Sequence, residues 1–266
     1  MLAAITVLIP THNGEAFVAD AIESILGQNF QLWELVIGDD ASTDGTRTVV
    51  ERYLHDPRIR FFQNPVNVGM AANWNRCLAL VATRYFMLLG QDDFFNSPRA
   101  LEIAYGALET HPEVPAAYCD LLFVGAKRQR LLARTFRRTG LVDSVPLARR
   151  SILQTRNLFG IPLLIRYQAA EGAQYDPHLE LATDVDFSIA TARGRPVYHI
   201  AEFLIGYRFH GGNQTGRVLG RVAGEMRYIA AKHGIRLRPW DPVFMRMCAF
   251  ATTLARQTVL RYGRTR

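Results

Sequence analysis

The chain has 266 residues, 49% of them hydrophobic and 21% charged, and a formal net charge of +7. The charge is uneven: residues 1–126 carry 7 Lys+Arg against 15 Asp+Glu, residues 127–166 carry 10 against 1, and residues 217–266 carry 11 against 2. These proportions exclude a disordered chain and describe an acidic globular body with two basic segments, which favour anionic partners such as phospholipid surfaces, nucleic acid or phosphorylated substrates.

The elements follow in order. Met1 to Pro10 lacks a charged opening, and Thr6 and Pro10 interrupt its apolar run, so Ile5–Ile9 reads as a buried first strand and not as a signal peptide. Asn13 is a candidate cap for a helix whose apolar positions are Phe17, Ala21, Ile22, Ile25 and Leu26. Leu32–Ile37 is a second strand. Ser42, Thr43 and Asp44 offer caps for a helix carrying Val49, Val50, Tyr53 and Leu54. A third strand, Ile59–Phe62, leads through a turn-rich stretch to a helix ending near Val81. Tyr85–Leu89 is a fourth strand, Ser97-Pro98 opens another helix, and Ala116–Val124 is a fifth strand. Residues 127–138 are Arg-rich and read as a ribbon or an amphipathic segment. Beyond them come a strand at Ile161–Tyr167, a helix at Asp184–Ala192, and strands at Val197–Ile200 and Phe203–Phe209. The tail from Arg217 reads as helical, broken around Pro239 and Pro242.

Repeated strand–helix alternation implies a mostly parallel sheet flanked by helices, with ligands at the carboxyl ends of the strands. Thr11-His12-Asn13, Asp39-Asp40 and Asp92-Asp93 all fall at such ends. Two adjacent carboxylates repel unless a cation lies between them and a ligand. Mg2+ or Mn2+ bound by carboxylates and diphosphate oxygens would relieve that repulsion. A solvated acidic loop is the plain alternative, and the shared rim argues against it. A carboxylate at Asp39-Asp40 could accept a hydrogen bond from a pyrimidine N–H. Cys77, Cys119 and Cys248 are widely spaced, which excludes a disulfide scaffold and a zinc site and suits a reducing compartment. No Gly-x-Gly-x-x-Gly follows the first strand, so a dinucleotide oxidoreductase is excluded. No apolar run approaches the roughly 20 residues that span a bilayer.

Five ordered motifs resemble the family-2 glycosyltransferases of GT-A fold: Thr6 to Glu15, Ala21 to Gln28, Leu35 to Thr46, Asn67 to Asn75, and Leu88 to Asp93. The likeness is strong over residues 5–124, looser from Gly160 to Asn213, and missing from 127–156 and the tail. It implies an inverting transferase that uses a nucleoside-diphosphate sugar, UDP- or dTDP-linked, and a divalent cation. By the resemblance, Pro10, Thr11, Asn13, Glu15 and Asn75 belong to the nucleotide-sugar site. Asp40 contacts the base and Asp92 the donor, while Asp93 holds the metal, with Gln91 where a full Asp-x-Asp has an acid. Asp184 takes the position of the general base, with Thr183 replacing the usual Glu. Asp186, two residues on, points elsewhere on the helix. In Tyr207-Arg208-Phe209-His210, Arg208 pairs a phosphate and His210 completes the metal shell or touches the diphosphate. His12 is a packing or stacking residue, and Trp33, Trp74 and Cys77 are core.

The expected organisation is a GT-A domain over 1–216, with a donor half (1–124) and an acceptor and catalytic half (125–216), then a basic helical extension over 217–266. The acceptor is a glycan or a lipid-linked hydroxyl, which Arg137 and Arg138 would meet. The tail pairs Arg246, Arg256, Arg261 and Arg264 with Phe244, Met245, Met247, Phe250 and Leu254, as an interfacial helix on an anionic membrane would. The expected location is cytoplasmic, peripheral on the inner face of the plasma membrane. A nucleic-acid partner is not expected, because the charge lies outside the regular core and no aromatic-basic motif accompanies it. The other reading is a catalytically silent relative that binds nucleotide or glycan.

Overall fold

A computed structural model describes residues 2–135, 138–210 and 221–251. Arg137, Asn213, Leu254, Arg256, Arg261 and Arg264, named above, lie outside the described residues. The first half builds β1 (Ile5–Thr11), β2 (Trp33–Asp39), β3 (Ile59–Gln63) and β4 (Tyr85–Leu88), with helices α1 (Val18–Leu26), α2 (Thr46–Glu51) and α3 (Met70–Leu78) between them. Every residue of β1 is buried. Its alternate side chains serve two cores: Ile5, Val7 and Ile9 pack with α1, and Leu8 packs on the opposite face with Cys77 of α3. That explains a largely apolar run, since a strand covered on both faces has no polar side.

One sheet of ten strands runs in the order β3-β2-β1-β4-β9-β6-β10-β5. Here β5 is Phe94–Phe95, β6 Ala116–Val124, β9 Ile161–Arg166 and β10 Val197–Arg208. Pairing is parallel through β3, β2, β1 and β4 and between β6 and β10. It is antiparallel where β9 joins β4 to β6 and where β5 lines the edge. β7 (Arg130–Arg134) adds to β6, so the Arg-rich segment forms a ribbon over those residues, and β8 (Gly140–Val142) adds to β10. Helices α4 (Ala100–Thr110), α5 (Ser144–Leu153), α6 (Thr183–Ala192) and α7 (Val222–Lys232) complete the layers, and residues 241–251 are helical.

Several local expectations change. Asn13 does not cap α1. It sits at φ +50, its side-chain oxygen accepts from Thr43 N at 2.9 Å, and Phe17 is the N-cap. Ser42 and Thr43 do not cap α2 either, because Gly45 precedes that helix. The two strands expected between 197 and 209 are one strand with an irregularity between Ile200 and Ile205. Pro242 lies in the first turn of its helix, where its missing N–H costs nothing, so among the described residues of the tail the interruption is at 233–240. Helix α5 was not anticipated; Asp143 caps it by accepting from Val145 N at 2.9 Å.

Candidate active site

The parallel strands β1, β2, β3 and β4 end on one edge, and four loops follow there. A chain leaving a strand has backbone groups without ladder partners, and side chains supply them. Gln91 joins the first and fourth loops. Its side-chain oxygen accepts from the Thr11 hydroxyl at 2.5 Å and from His12 N at 2.8 Å, and its amide donates to His12 O at 3.1 Å. Asn13 N donates to Ser42 Oγ at 2.8 Å, and Glu15 accepts from Gly45 N at 3.0 Å, so the first and second loops are tied as well. Asp40 is buried. Its Oδ1 accepts from Asn64 Nδ2 (2.9 Å) and Val68 N (2.8 Å), and its Oδ2 from Gly69 N (2.9 Å). Pro10, Thr11, Asn13, Glu15 and Asp40 therefore share one rim. His12 is exposed there and hydrogen-bonds the Asp40 carbonyl at 2.8 Å.

Asp92 and Asp93 follow β4 on the same edge. Asp93 Oδ1 accepts from Arg208 N at 3.0 Å, and Asp92 Oδ2 lies 3.1 Å from His210 Nε2. Residues from the ends of β4 and β10 thus meet. Burial is the main cause pushing the Asp93 carboxyl up, to about 8; the Arg208 N–H opposes it and the Asp92 charge adds to it. A carboxylate in that position is costly unless positive charge is placed against it. Arg208, the residue expected to pair a phosphate, is engaged by the protein itself. It is buried, and its guanidinium donates to Asp92 O (2.8 Å), Ala126 O (2.7 Å) and Asp20 Oδ2 (2.6 Å) while lying 4.6 Å over the Phe17 ring. It is a strut beneath the acidic pair.

The other side of the rim comes from β9. Because β9 runs antiparallel to β4, its N-terminal end lies beside the carboxyl end of β4. The chain enters β9 through Gly160, at φ +103, where an added Cβ would meet Cys119 O at 2.6 Å. Asn157, three residues earlier, donates to Gly160 O at 3.1 Å and to Asp184 Oδ2 at 2.8 Å. Asp184 is exposed in the first turn of α6, whereas Asp186 is buried and accepts from Lys232 Nζ and His233 Nε2, both at 2.8 Å. The two acids do point apart, and the outward one is Asp184. Neither caps α6, nor does Thr183, whose hydroxyl donates to Leu179 O. Instead Glu225 of α7 accepts from the backbone N–H groups of Glu180, Leu181 and Ala182 at 3.1, 3.0 and 2.9 Å, holding the approach to the helix.

Asn75, expected in the nucleotide-sugar site, bonds the backbone of Tyr175. Both ends of its amide bind Tyr175, donating to its O at 2.9 Å and accepting from its N at 2.8 Å, which clips α3 to the segment before α6. Trp33 and Cys77 are buried as expected, while Trp74 is half-buried with its ring edge-on to Tyr175. Gln91, Asn157 and Glu225 were not assigned roles from sequence. Only Gln91 carried a signal, as the non-acidic member of Gln-Asp-Asp.

Among the described residues, no three His, Cys, Asp or Glu side chains are gathered as a ready metal cage. Asp92 and Asp93 present carboxylate oxygens of the kind a divalent cation takes, with His210 Nε2 3.1 Å from Asp92 Oδ2. Among the described residues no helix is long and apolar enough to cross a membrane.

Comparison with known proteins bears on the family and the fold. The sequence profile of glycosyl transferase family 2 matches residues 6–143. The chain is 38% identical over 109 residues to a putative glycosyltransferase, EpsE, of Bacillus subtilis (strain 168), covering 40% of this chain and 39% of that protein. It is 36% identical over 90 residues to a putative teichuronic acid biosynthesis glycosyltransferase, TuaG, of the same organism, covering 34% and 36%. The matched stretch therefore spans under two fifths of the length of those relatives. The fold is similar to S. aureus TarS in complex with UDP-GlcNAc, with TM-score 0.68 and 20% identity over 87% of this chain and 66% of that one. It is also similar to a mannosyltransferase of Pyrobaculum calidifontis in complex with GDP-Man and Mn2+, with TM-score 0.60 and 17% identity over 96% and 74%.

Proposed function

From the premise that this chain belongs to glycosyl transferase family 2, we propose that it transfers a sugar, with inversion, from a UDP- or dTDP-linked donor to a hydroxyl acceptor in cell-surface polysaccharide or glycolipid synthesis. The observation that carries the reading is the common rim: Asp92-Asp93 after β4, and Asp184 held by Asn157 beside the start of β9.

Asp40 Oδ2 accepts one hydrogen bond where Oδ1 accepts two, so it keeps capacity for a pyrimidine N–H. Pro10, Thr11, Asn13 and Glu15 line the nucleotide, and Asp92 contacts the donor. Asp93 and His210 would hold Mn2+ or Mg2+, which when bound offsets charge developing on the leaving diphosphate. Arg208 positions the acidic pair from below. Asp184 takes the proton of the acceptor hydroxyl. The hydroxyl oxygen then bonds to the anomeric carbon as the bond to the diphosphate oxygen breaks, and the nucleoside diphosphate leaves with the electron pair. Asn157 and Glu225 position Asp184. The similarity to TuaG, a putative teichuronic acid biosynthesis glycosyltransferase, and the UDP-GlcNAc bound by TarS support the substrate class. The same reading includes a cytoplasmic location and contact with an anionic membrane surface through 217–266, on that segment's charge.

The test is thermal-shift screening against UDP-, dTDP- and GDP-sugars with and without Mn2+. Stabilisation scales with ligand concentration over Kd, so a Mn2+-dependent shift with a UDP- or dTDP-sugar is expected. No shift with any donor would favour a silent relative.

A further inference from the structure

The helix at 241–251 is apolar on two opposite sides. Met245 and Ala249 face inward and pack with Val222, Met226 and Ile229 of α7. Val243, Phe244, Met247 and Phe250 face outward, with Trp240 just before them, and Met247 and Phe250 are 66% and 70% exposed. The spacing 240, 243, 244, 247, 250 is that of one helical face. One exposed apolar side chain is ordinary, but five in a row on a helix that has already buried its inner face mark a contact surface.

A cleft of about 410 Å3 lies between α7 and this helix, lined in part by Arg221, Arg227 and Arg246. Its acids are engaged: Glu225 holds the N–H groups of 180–182, and Glu180 lies 3.4 Å from Arg221. Among the described residues neither Arg227 nor Arg246 meets a carboxylate. Arginines suited to a phosphate thus border an apolar row.

We propose that this face docks on an anionic phospholipid bilayer, the apolar row entering the headgroup–acyl boundary while Arg227 and Arg246 hold a headgroup phosphate. Charge selects this occupant. Residues 217–266 carry 11 Lys+Arg against 2 Asp+Glu, so a second copy of the chain would bring like charges together. Apolar insertion combined with anionic attraction is the balance of an interfacial helix. The proposal rests on the reading above in that residues 217–266 meet an anionic membrane surface. It adds the side chains and the phosphate site. The cleft shares Glu180 and Glu225 with the approach to α6, so a docked surface adjoins the helix carrying Asp184.

The test is flotation of the full chain with phosphatidylglycerol–phosphatidylcholine vesicles and with phosphatidylcholine alone. Binding to the anionic vesicles is expected, reduced at least about tenfold in a Phe244→Ser, Met247→Ser double variant. Arg227→Gln with Arg246→Gln should erase the preference for anionic vesicles. All four side chains are exposed, and unchanged melting curves check that the variants fold. Absence of vesicle binding, or binding indifferent to both pairs, overturns the proposal. So does stabilisation by inorganic phosphate without vesicle binding, or a concentration-dependent dimer lost in the Phe244, Met247 variant. Donor-sugar hydrolysis assayed without vesicles reads the transferase proposal separately, so either can fail alone.

Discussion

The two sides of the rim are held by different means. On the donor side, loops 11–15, 39–46, 64–69 and 90–93 are joined mainly by side-chain to backbone hydrogen bonds over a parallel sheet buried on both faces. On the side of Asp184, helix α6 is anchored by polar groups of α7 and its C-cap: Lys232 and His233 on Asp186, Lys232 on Asp176, and Glu225 on the N–H groups before the helix. The apolar cluster beneath is small and includes Ile152, Val185, Val222 and Met245. The proposed donor rim thus draws on residues 5–93 together with Arg208 and His210. The helix carrying Asp184 depends on residues beyond 221. A segment that looked in sequence like an appendage is, over 222–249, part of what holds the proposed base.

Breaking one side should leave the other standing. Glu225→Ala strands the N–H groups that its carboxylate satisfies, a loss of about 1–3 kcal/mol when such donors are buried. Steady-state kinetics should show kcat down about tenfold with donor KM unchanged, and Glu225→Gln should recover part of it. Gln91→Ala acts on the opposite side by releasing Thr11 and His12. It should raise donor KM about threefold, as expected for a net hydrogen bond of about 0.5–1.5 kcal/mol, and leave kcat nearly intact.

The smallest effect is a pH dependence of the α7 anchor. Burial disfavours the charged form of Asp176, but hydrogen bonds from Lys232, His178 and Tyr228 outweigh it and hold the carboxyl well below its ordinary value. A carboxyl depressed in the folded state stabilises above its unfolded pKa, about 4, and loses that contribution as pH falls through the folded value. The melting-temperature gap between the native chain and Asp176→Asn should be a few degrees at neutral pH. It should shrink as pH drops below about 4. A gap constant down to strong acid would mean that Asp176 contributes by packing alone.

Much of the donor side was legible because its signals are local. Largely apolar strands such as Ile5–Ile9 end in polar runs, and a parallel sheet puts those runs together. What sequence missed is long-range. The protein partners of Arg208 and Asn75, among them Asp20, Ala126 and Tyr175, are 82 or more residues away and could not be read from spacing. Helix α5 escaped because Pro146 interrupts its start and its buried positions, Leu147, Ala148, Ser151 and Ile152, mix apolar with polar.

The central claim is that donor anchoring and proton removal are divided between the two sides. Asp184→Asn and Asp93→Asn test it directly, each assayed for transfer and for the Mn2+-dependent thermal shift produced by donor sugar. Asp184→Asn should lower transfer by about 10²–10⁴-fold while keeping the donor shift, and Asp93→Asn should lose both. A Asp184→Asn variant that loses the donor shift, or one that transfers sugar at the native rate, would contradict the account.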